Sequence, residues 1–300
     1  MRFGIAIPQS FADGAFSPEA FRSYFERAEQ LGFDSAWALD QALGLGPAPH
    51  FGPVEAMTYA AACTSRIRLG CAVFVSTLYN PVHLAKSLSS LDQLSGGRVE
   101  IGLASGGRER PFAAFGISPD RYIARFSEGI ELMKELWSRP RVTFDGDFWQ
   151  LDGAIMEPKP FQKPYPPLWL GGSAPAALRR AVRLGDGFFG AGSTPTEAFA
   201  QQAVAVRAER PDFPIAKRIY IAIDPDAARA RRRINEALEG VYGRLWPSLE
   251  AAGVAGTAQD CVRGVQAVAD AGAGLIVFTP LFDLAEHNEI IASEIIPRLS

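Results

Sequence analysis

The sequence has few residues that bind metals or form disulfides, with only three cysteines and three histidines. Cys63, Cys71 and Cys261 have neither metal-binding nor redox spacing, and an odd number of thiols cannot all pair with one another. The scattered histidines add no ligand set. We therefore expect reduced, buried thiols, as in cytoplasmic proteins, and no metal site.

Long apolar runs and concentrated charge are also missing. No run approaches the ~20 apolar residues of a membrane-spanning helix, and the first residues, MRFGIAIPQS, do not resemble a signal peptide. The formal net charge is -3 and 21% of the residues are charged, whereas nucleic-acid binding needs a concentrated basic surface. The one basic cluster, within 229–233, is expected on a solvated helix face. We predict a cytoplasmic, enzyme-sized protein that binds neither membranes nor nucleic acid.

Several catalytic motifs do not occur. A Ser-His-Asp hydrolase of the common type needs a G-x-S-x-G turn, and many phosphoryl-transfer enzymes need a Walker loop. The glycine-rich segment GLASGG at 102–107 lacks the G-x-G-x-x-G spacing of a dinucleotide-binding turn. These absences disfavour the corresponding hydrolase, kinase and Rossmann dehydrogenase classes.

A strand–helix–strand unit lies within Arg66–Gly107. Ile67–Val75 is a nearly continuous apolar run, typical of a strand buried on both faces. Asn80-Pro81 begins a helix whose leucines recur at three- and four-residue steps, and Gly96-Gly97 ends it. The next buried strand is Val99–Leu103. Such a unit joins two parallel strands by a right-handed crossover.

The same alternation continues along the chain. Eight strands are predicted, at 3–7, 35–39, 67–75, 99–103, 168–171, 187–191, 218–223 and 275–279. Eight strands alternating with helices favour an α/β fold, the closed (β/α)8 TIM barrel, over an open sheet. We predict one domain over residues 1–300, with an insertion at about 140–167 between strands 4 and 5, where VTFDGDFWQL forms a hairpin around Asp145-Gly146. The last helix is predicted over Leu284–Leu299.

The segment Gly171–Ala177 joins a predicted strand directly to a helix. Its small residues would let a ligand approach the backbone, and the start of the helix offers free N–H groups to an anion. A tight turn with a serine cap explains the same residues without a ligand. In a barrel this turn would lie at the carboxyl ends of the strands, where TIM barrels bind substrates.

The motifs RIRLG and NPVHLAKSLSSLDQLSGGR, followed by a short strand that ends in glycines, resemble the core signature of the bacterial luciferase-like superfamily. That superfamily contains flavin-dependent monooxygenases and oxidoreductases that use the deazaflavin coenzyme F-420. The resemblance extends more weakly over nearly the whole chain. It implies a TIM-barrel enzyme with a phosphorylated cofactor, and a homodimer in which Ala60–Ala62 could allow close helix approach.

The resemblance also implies cofactor-binding residues at the strand ends. A phosphate would bind mainly to backbone N–H groups. The cofactor ring would press on a bulge at Ala72-Val73, where the family often has a non-proline cis peptide. The glycine-rich end of strand 4 could admit the ring. The cofactor-binding residues implied in this way are Ala72, Val73, Ala104, Gly106, Gly172, Ser173, Ala174, Ala176 and Ala177.

The candidate catalytic residues are Asp40, Gln41 and His50. The family commonly has an acidic residue followed by a histidine after strand 2, and this chain has Asp40-Gln41. Glutamine forms hydrogen bonds but cannot shuttle a proton, which puts luciferase-like acid–base chemistry in doubt. His50 follows in the next loop and could reach the site. His83 is interpreted as a structural residue and His287 as a solvated or capping residue.

The resemblance leaves more than one function open. The first hypothesis is F-420-dependent hydride transfer to or from a small organic substrate. The alternative is a two-component monooxygenase that receives reduced FMN from a separate flavin reductase and uses O2. A third is a non-catalytic flavin-binding relative. Phe11, Trp37 and Phe74 are candidates for apolar walls of the site, and each is equally compatible with the core.

Overall fold

The computed structural model describes residues 1–11, 16–43, 49–107 and 112–299. Within these ranges, strands and helices alternate as the sequence predicts, with small shifts of the boundaries. The strands are β1 (Arg2–Ala6), β2 (Ser35–Ala38), β3 (Arg68–Val75), β4 (Val99–Ala104), β5 (Val142–Asp145), β6 (Gln150–Ala154), β7 (Leu168–Gly171), β8 (Gly187–Gly190), β9 (Ile215–Ile223), β10 (Gly253–Gly256) and β11 (Leu275–Thr279).

The helices lie between these strands. They are α1 (Pro18–Gln30), α2 (Pro53–Cys63), α3 (Pro81–Leu94), α4 (Tyr122–Ser138), α5 (Pro175–Leu184), α6 (Thr196–Glu209), α7 (Ala227–Tyr242), α8 (Pro247–Glu250), α9 (Ala258–Asp270) and α10 (Leu284–Ile290). Several begin where the sequence indicates. Ser17, Asn80 and Thr257 cap α1, α3 and α9 with their side chains, and Pro18 and Pro81 follow two of these caps.

Eight parallel strands close into a barrel, in the order β1-β2-β3-β4-β7-β8-β9-β11, and β11 pairs with β1. This confirms the predicted TIM barrel. The predicted hairpin is also present, because β5 and β6 pair antiparallel between β4 and β7 in the chain. The short strand β10 was not predicted. It pairs with Tyr220–Ile223 of β9, and its sequence, GVAG, has too little apolar side chain to give a strand signal.

The predicted last helix is wrong in one respect. The α-helix ends at Ile290, and the chain continues as a wider π turn at Ile291–Ile295 and a 3₁₀ turn at Ile296–Arg298. Pro297 gives the physical reason. Its ring has no N–H and collides with the carbonyl four residues earlier, so a regular α-helix cannot continue through it.

Apolar clusters lie both outside and inside the barrel. The outer core lies between the strands and the helices and includes Phe74, which is fully buried there and is therefore no wall of a site. A smaller inner cluster fills the barrel and consists of Trp37, Ala72, Trp169, Phe189, Ala216, Leu275 and Val277. Below this cluster, the buried carboxylate of Glu100 accepts hydrogen bonds from Arg2, Arg68 and the indole of Trp169. A packed interior leaves the carboxyl ends of the strands as the place for a site.

The basic cluster lies on α7, as expected, and is mostly exposed. Three of its arginines also bind within the chain. Arg229 pairs with Asp224, Arg233 pairs with Asp283, and Arg231 donates to the carbonyls of Gly253 and Ala255 on β10. These three arginines therefore hold segments next to strands β9, β10 and β11 in place.

Candidate functional site

The predicted site residues meet at one side of the barrel mouth. Asp40 follows β2, Ala72 and Val73 lie in β3, Ala104 ends β4, and the turn after Gly171 follows β7. These four strands are consecutive neighbours in the barrel. Two surface depressions, of about 680 Å³ and 550 Å³, lie elsewhere. The first lies at the amino ends of β9 and β11, opposite the mouth, so we place the candidate site by the strand ends.

The strand β3 bulges at its end. The Ala72-Val73 peptide is cis, and the pairing of β3 with β4 shifts between Cys71 and Phe74. Gly102 on β4 makes room for this bulge, since a Cβ at Gly102 would lie 2.1 Å from the Cys71 carbonyl oxygen. The bulge that the resemblance implies is therefore present, and a glycine in the neighbouring strand permits it.

Asp40, which follows β2, forms hydrogen bonds with the end of the bulged strand β3 and with the residues after it. Its carboxylate accepts the Val75 N–H at 2.8 Å and the Tyr79 hydroxyl at 2.9 Å. Burial of the Tyr79 ring and the adjacent Asp40 charge both raise the pKa of that phenol, which keeps it protonated as a donor. Asp40 therefore positions the end of β3 through two hydrogen bonds.

Gln41 and His50, the other two candidate catalytic residues, differ in their exposure to solvent. The Gln41 side chain is exposed. His50 is half-buried and pairs with Ser10 through an isolated antiparallel bridge, and its Nδ1 atom is buried with no hydrogen-bond partner among the described residues. Burial lowers the pKa of His50, and the Phe51 backbone and then the nearby Asp40 charge partly oppose this. At neutral pH His50 is therefore a neutral imidazole with an unused ring nitrogen.

The turn after β7 has a backbone that suits an anion. Gly172 has a φ of +149°, and a Cβ at this position would lie only 2.6 Å from the Cβ of Ala177. The helix α5 starts directly afterwards, with Ala174 as its N-cap and no side-chain cap. The exposed residues Ser173, Ala174 and Ala176 carry N–H groups near the helix start, where the helix dipole is positive. A phosphate fits this cradle chemically.

The end of β4 is open and glycine-rich. Ala104 and Gly106 are partly exposed, and Gly106 has a φ of +65°. The Thr77 hydroxyl holds this loop by donating to the Ser105 carbonyl at 2.8 Å. Small side chains at this edge leave space beside the bulge of β3, as a planar ring would require.

The histidines outside the site have structural surroundings. His83 is exposed on α3. The interpretation of His287 as a solvated residue is wrong, because it is only 2% exposed. Its Nε2 accepts the Ile223 N–H at 3.0 Å and its Nδ1 lies 3.0 Å from the Asp283 carbonyl oxygen, so the proton is on Nδ1. Packing against the Phe282 ring buries it.

Sequence reasoning missed two charged residues in the middle of β9. Lys217 and Arg218 interrupt the apolar segment IAKRIYIAI, and that interruption was the available signal. Arg218 shares a strand face with Ala216 of the inner cluster and lies at the barrel mouth, where its guanidinium approaches the Ala72 carbonyl at 3.5 Å. Lys217 is 1% exposed, and its ammonium donates to the carbonyls of Ala191 and Thr194 in the loop after β8.

We expect Lys217 to make stability depend on pH. Burial, and then the charge of Arg218, lower the pKa of Lys217 to about 7, whereas an unfolded lysine has a pKa of ~10.4. Between these values the unfolded chain binds an extra proton. The free energy of unfolding should therefore gain up to ~1.4 kcal/mol per pH unit from this group as pH rises, and lose it as pH falls towards 7.

Urea unfolding at pH 8 and pH 9 measures this effect. The change between the two pH values should be smaller in Lys217→Met than in the wild type. Lys163→Met, which removes an exposed lysine, should leave the change as it is. An equal change in the wild type and in Lys217→Met would show that the buried amine keeps its ordinary pKa.

Most of the chain matches the model of a known protein family. Residues 1–275 match the model of the family described as luciferase-like monooxygenase. The chain belongs to this family. Within the described residues of this luciferase-like protein, no group of three or more His, Cys, Asp or Glu side chains could hold a metal ion. No described helix is long and apolar enough to span a membrane.

The relatives with named activities include enzymes that depend on F420 and an enzyme that depends on reduced FMN. The chain is 34% identical over 233 residues to an F420-dependent glucose-6-phosphate dehydrogenase of Beutenbergia cavernae, covering 72% of this chain and 67% of that protein. It is 27% identical over 274 residues to the FMNH(2)-dependent dimethylsulfone monooxygenase of Pseudomonas putida, covering 89% and 73%. Several other F420-dependent glucose-6-phosphate dehydrogenases are matched over only about half of their length.

A solved structure has the same fold over the whole chain. The monooxygenase RslO1 from Streptomyces bottropensis superposes with a TM-score of 0.84 over 99% of both chains, at 23% sequence identity. At this identity the similarity supports the fold of the luciferase-like protein and no more.

Proposed function

We propose that this luciferase-like protein is an oxidoreductase that binds the deazaflavin coenzyme F-420 and transfers hydride to or from a small organic substrate. The observation that carries the proposal is the cradle at Gly172, which lies at the same mouth as the β3 bulge. The similarity to an F420-dependent dehydrogenase over 72% of the chain supports the choice of cofactor. When bound, the deazaflavin supplies the hydride chemistry.

The residues of the chain would hold and orient the cofactor and the substrate. The N–H groups of Ser173, Ala174 and Ala176, with Gly172, would bind the phosphate, whereas the predicted Ala177 N–H already donates to the Ala174 carbonyl at 2.8 Å. Ala72 and Val73 would support one face of the ring, and Ala104 and Gly106 would leave space at its edge. The side chain of Val73 lies between β4 and β7, since a Cβ at Gly102 or Gly171 would come within 3.6 Å of its Cγ1.

Asp40 would act as a positioning residue, because both of its oxygens already hold the end of β3. His50 is proposed to hold or accept a proton of the substrate at a ring nitrogen, since burial keeps it neutral. Gln41, which is exposed, would contact the substrate by hydrogen bonds only. Hydride transfer from an alcohol to the cofactor also releases the hydroxyl proton, and the neutral imidazole of His50 could accept it.

The second candidate function is an FMNH2-dependent monooxygenase with a separate flavin reductase. The observation that favours it is the 27% identity to such an enzyme over 89% of this chain. A non-catalytic flavin-binding protein would have the same cradle and bulge. We further propose one cytoplasmic domain over residues 1–300 that works as a homodimer through α2, where Ala62 is exposed and available to a partner, whereas Ala60 and Ala61 are buried against the same chain.

A binding titration tests the cofactor. We expect micromolar or tighter binding of F-420 and at least tenfold weaker binding of FMN, measured by fluorescence in both redox states of each cofactor. Preference for reduced FMN would favour the monooxygenase. Tight binding of either cofactor without turnover on alcohols, aldehydes and enones would favour the non-catalytic protein. If neither cofactor binds, the assignment of the cradle is wrong.

A further inference from the structure

Arg218 is a half-buried cation at the barrel mouth, with no counter-ion in the part of the chain that the structure describes. It shares a face of β9 with Ala216, which packs inside the barrel, and with Tyr220. Among the described residues, no carboxylate forms an ion pair with Arg218, although each of Arg2, Arg68, Arg229 and Arg233 has one. Charges that leave bulk water are normally paired. The missing partner points to an anionic ligand.

The groups that hold Arg218 in place are neutral. Its Nη2 donates to the Tyr220 hydroxyl at 2.9 Å, and that hydroxyl lies 2.7 Å from the Tyr242 hydroxyl. Its Nη1 lies 3.5 Å from the Ala72 carbonyl oxygen. Gly192, in the loop after β8, is packed against the guanidinium, since a Cβ there would lie 2.8 Å from Nε. A guanidinium has five N–H donors in a fork that matches a carboxylate, so donors remain for a ligand.

Thr279 carries a second unused polar group, on the strand that pairs with β9. It is 3% exposed, and its hydroxyl oxygen has no hydrogen-bond partner among the described residues. It shares the interior face of β11 with Leu275 and Val277 of the inner cluster. In the pairing of β11 with β9, Val277 is opposite Arg218 and Thr279 is opposite Tyr220. A buried hydroxyl without a partner costs stability unless a ligand satisfies it.

We infer that Arg218 and Thr279 form a subsite for a carboxylate group of the substrate. This rests on the proposed function in that the carboxylate belongs to the molecule that reacts at the cofactor. The subsite is distinct from the phosphate cradle, because β8 separates β7 from β9 in the barrel. The charges of Asp40 and Arg218 act in opposite directions on the pKa of the buried Cys71 thiol, and the negative charge of Asp40 would disfavour an anion beside β2 relative to one at Arg218.

Calorimetric titration with matched acids and amides tests this subsite. The probes are acetate and acetamide, butyrate and butyramide, and benzoate and benzamide, added to the protein with and without saturating F-420. We expect at least one acid to bind at least tenfold more tightly than its amide. Arg218→Gln should abolish this preference, and Thr279→Val should weaken binding of the acid several-fold. Arg232→Gln, which removes an exposed arginine of α7, should preserve the preference.

The outcomes separate this inference from the cofactor assignment. Equal binding of acids and amides by the wild type, or a preference that survives Arg218→Gln, would overturn the subsite. If acids do not bind but Arg218→Gln selectively weakens the reduced cofactor, the anion belongs to the cofactor ring and the substrate assignment is wrong. If acids bind through Arg218 while no cofactor binds, the subsite holds and the proposed function fails. Arg218→Lys keeps the charge and should retain part of the preference, which controls for misfolding.

Discussion

Replacing Gly172 with alanine is expected to weaken cofactor binding at least a hundredfold, which corresponds to about 2.7 kcal/mol. Two effects add. A φ of +149° is a backbone conformation that residues with a side chain rarely adopt, and the new Cβ would lie 2.6 Å from that of Ala177. To relieve both, the turn must move away from the start of α5. That movement displaces the N–H groups proposed to bind the phosphate.

The measurement is a fluorescence titration with F-420 and with FMN on the purified variant. Gly32→Ala is a matched control, because Gly32 also has a positive φ, +83°, and lies in the turn between α1 and β2 at the opposite end of the barrel. This control should lose some stability and bind the cofactor as the wild type does. Wild-type affinity in Gly172→Ala would mean that the phosphate binds elsewhere.

Replacing Glu100 with glutamine is expected to lower the free energy of unfolding by about 3 kcal/mol. Glu100 is 1% exposed and receives hydrogen bonds from Arg2, Arg68 and the Trp169 indole. The neutral amide would leave two arginines at the floor of the barrel without a counter-charge. Removing one partner of a buried ion pair typically costs about 3 to 5 kcal/mol. We expect the smaller value because the side chains of Arg2 and Arg68 are 37% and 29% exposed, and water screens their charges in part.

Urea unfolding followed by circular dichroism measures this loss. Glu135→Gln is the matched control, since Glu135 pairs with Arg139 four residues later on the surface of α4. Such an exposed pair contributes less than ~0.5 kcal/mol. A loss of similar size in the two variants would show that the floor of the barrel does not depend on the buried charge.

Most of the fold follows from local patterns in the sequence. Apolar runs such as Ile67–Val75 predict buried strands, and Ser17, Asn80 and Thr257 mark helix starts by a local physical effect, because each caps free N–H groups. Eight alternating units imply a closed barrel, and the barrel order then brings Asp40, the β3 bulge and the Gly172 turn to one rim. Because the barrel order follows from the sequence, the sequence also predicts that the site lies at the carboxyl ends of these neighbouring strands.

Other features depend on contacts between distant segments. Nothing local in GVAG indicates that it pairs with β9. Nothing near His287 in the sequence indicates that its side chain is buried and accepts a hydrogen bond from the Ile223 N–H. Consecutive residues of a strand point to opposite faces, but the sequence does not show that Lys217 binds loop carbonyls while Arg218 enters the mouth. By itself the sequence determined the strands, the helices and the barrel, because periodicity and capping act over a few residues. Only the tertiary structure decided which charges are left without partners, because that depends on residues far apart in the chain.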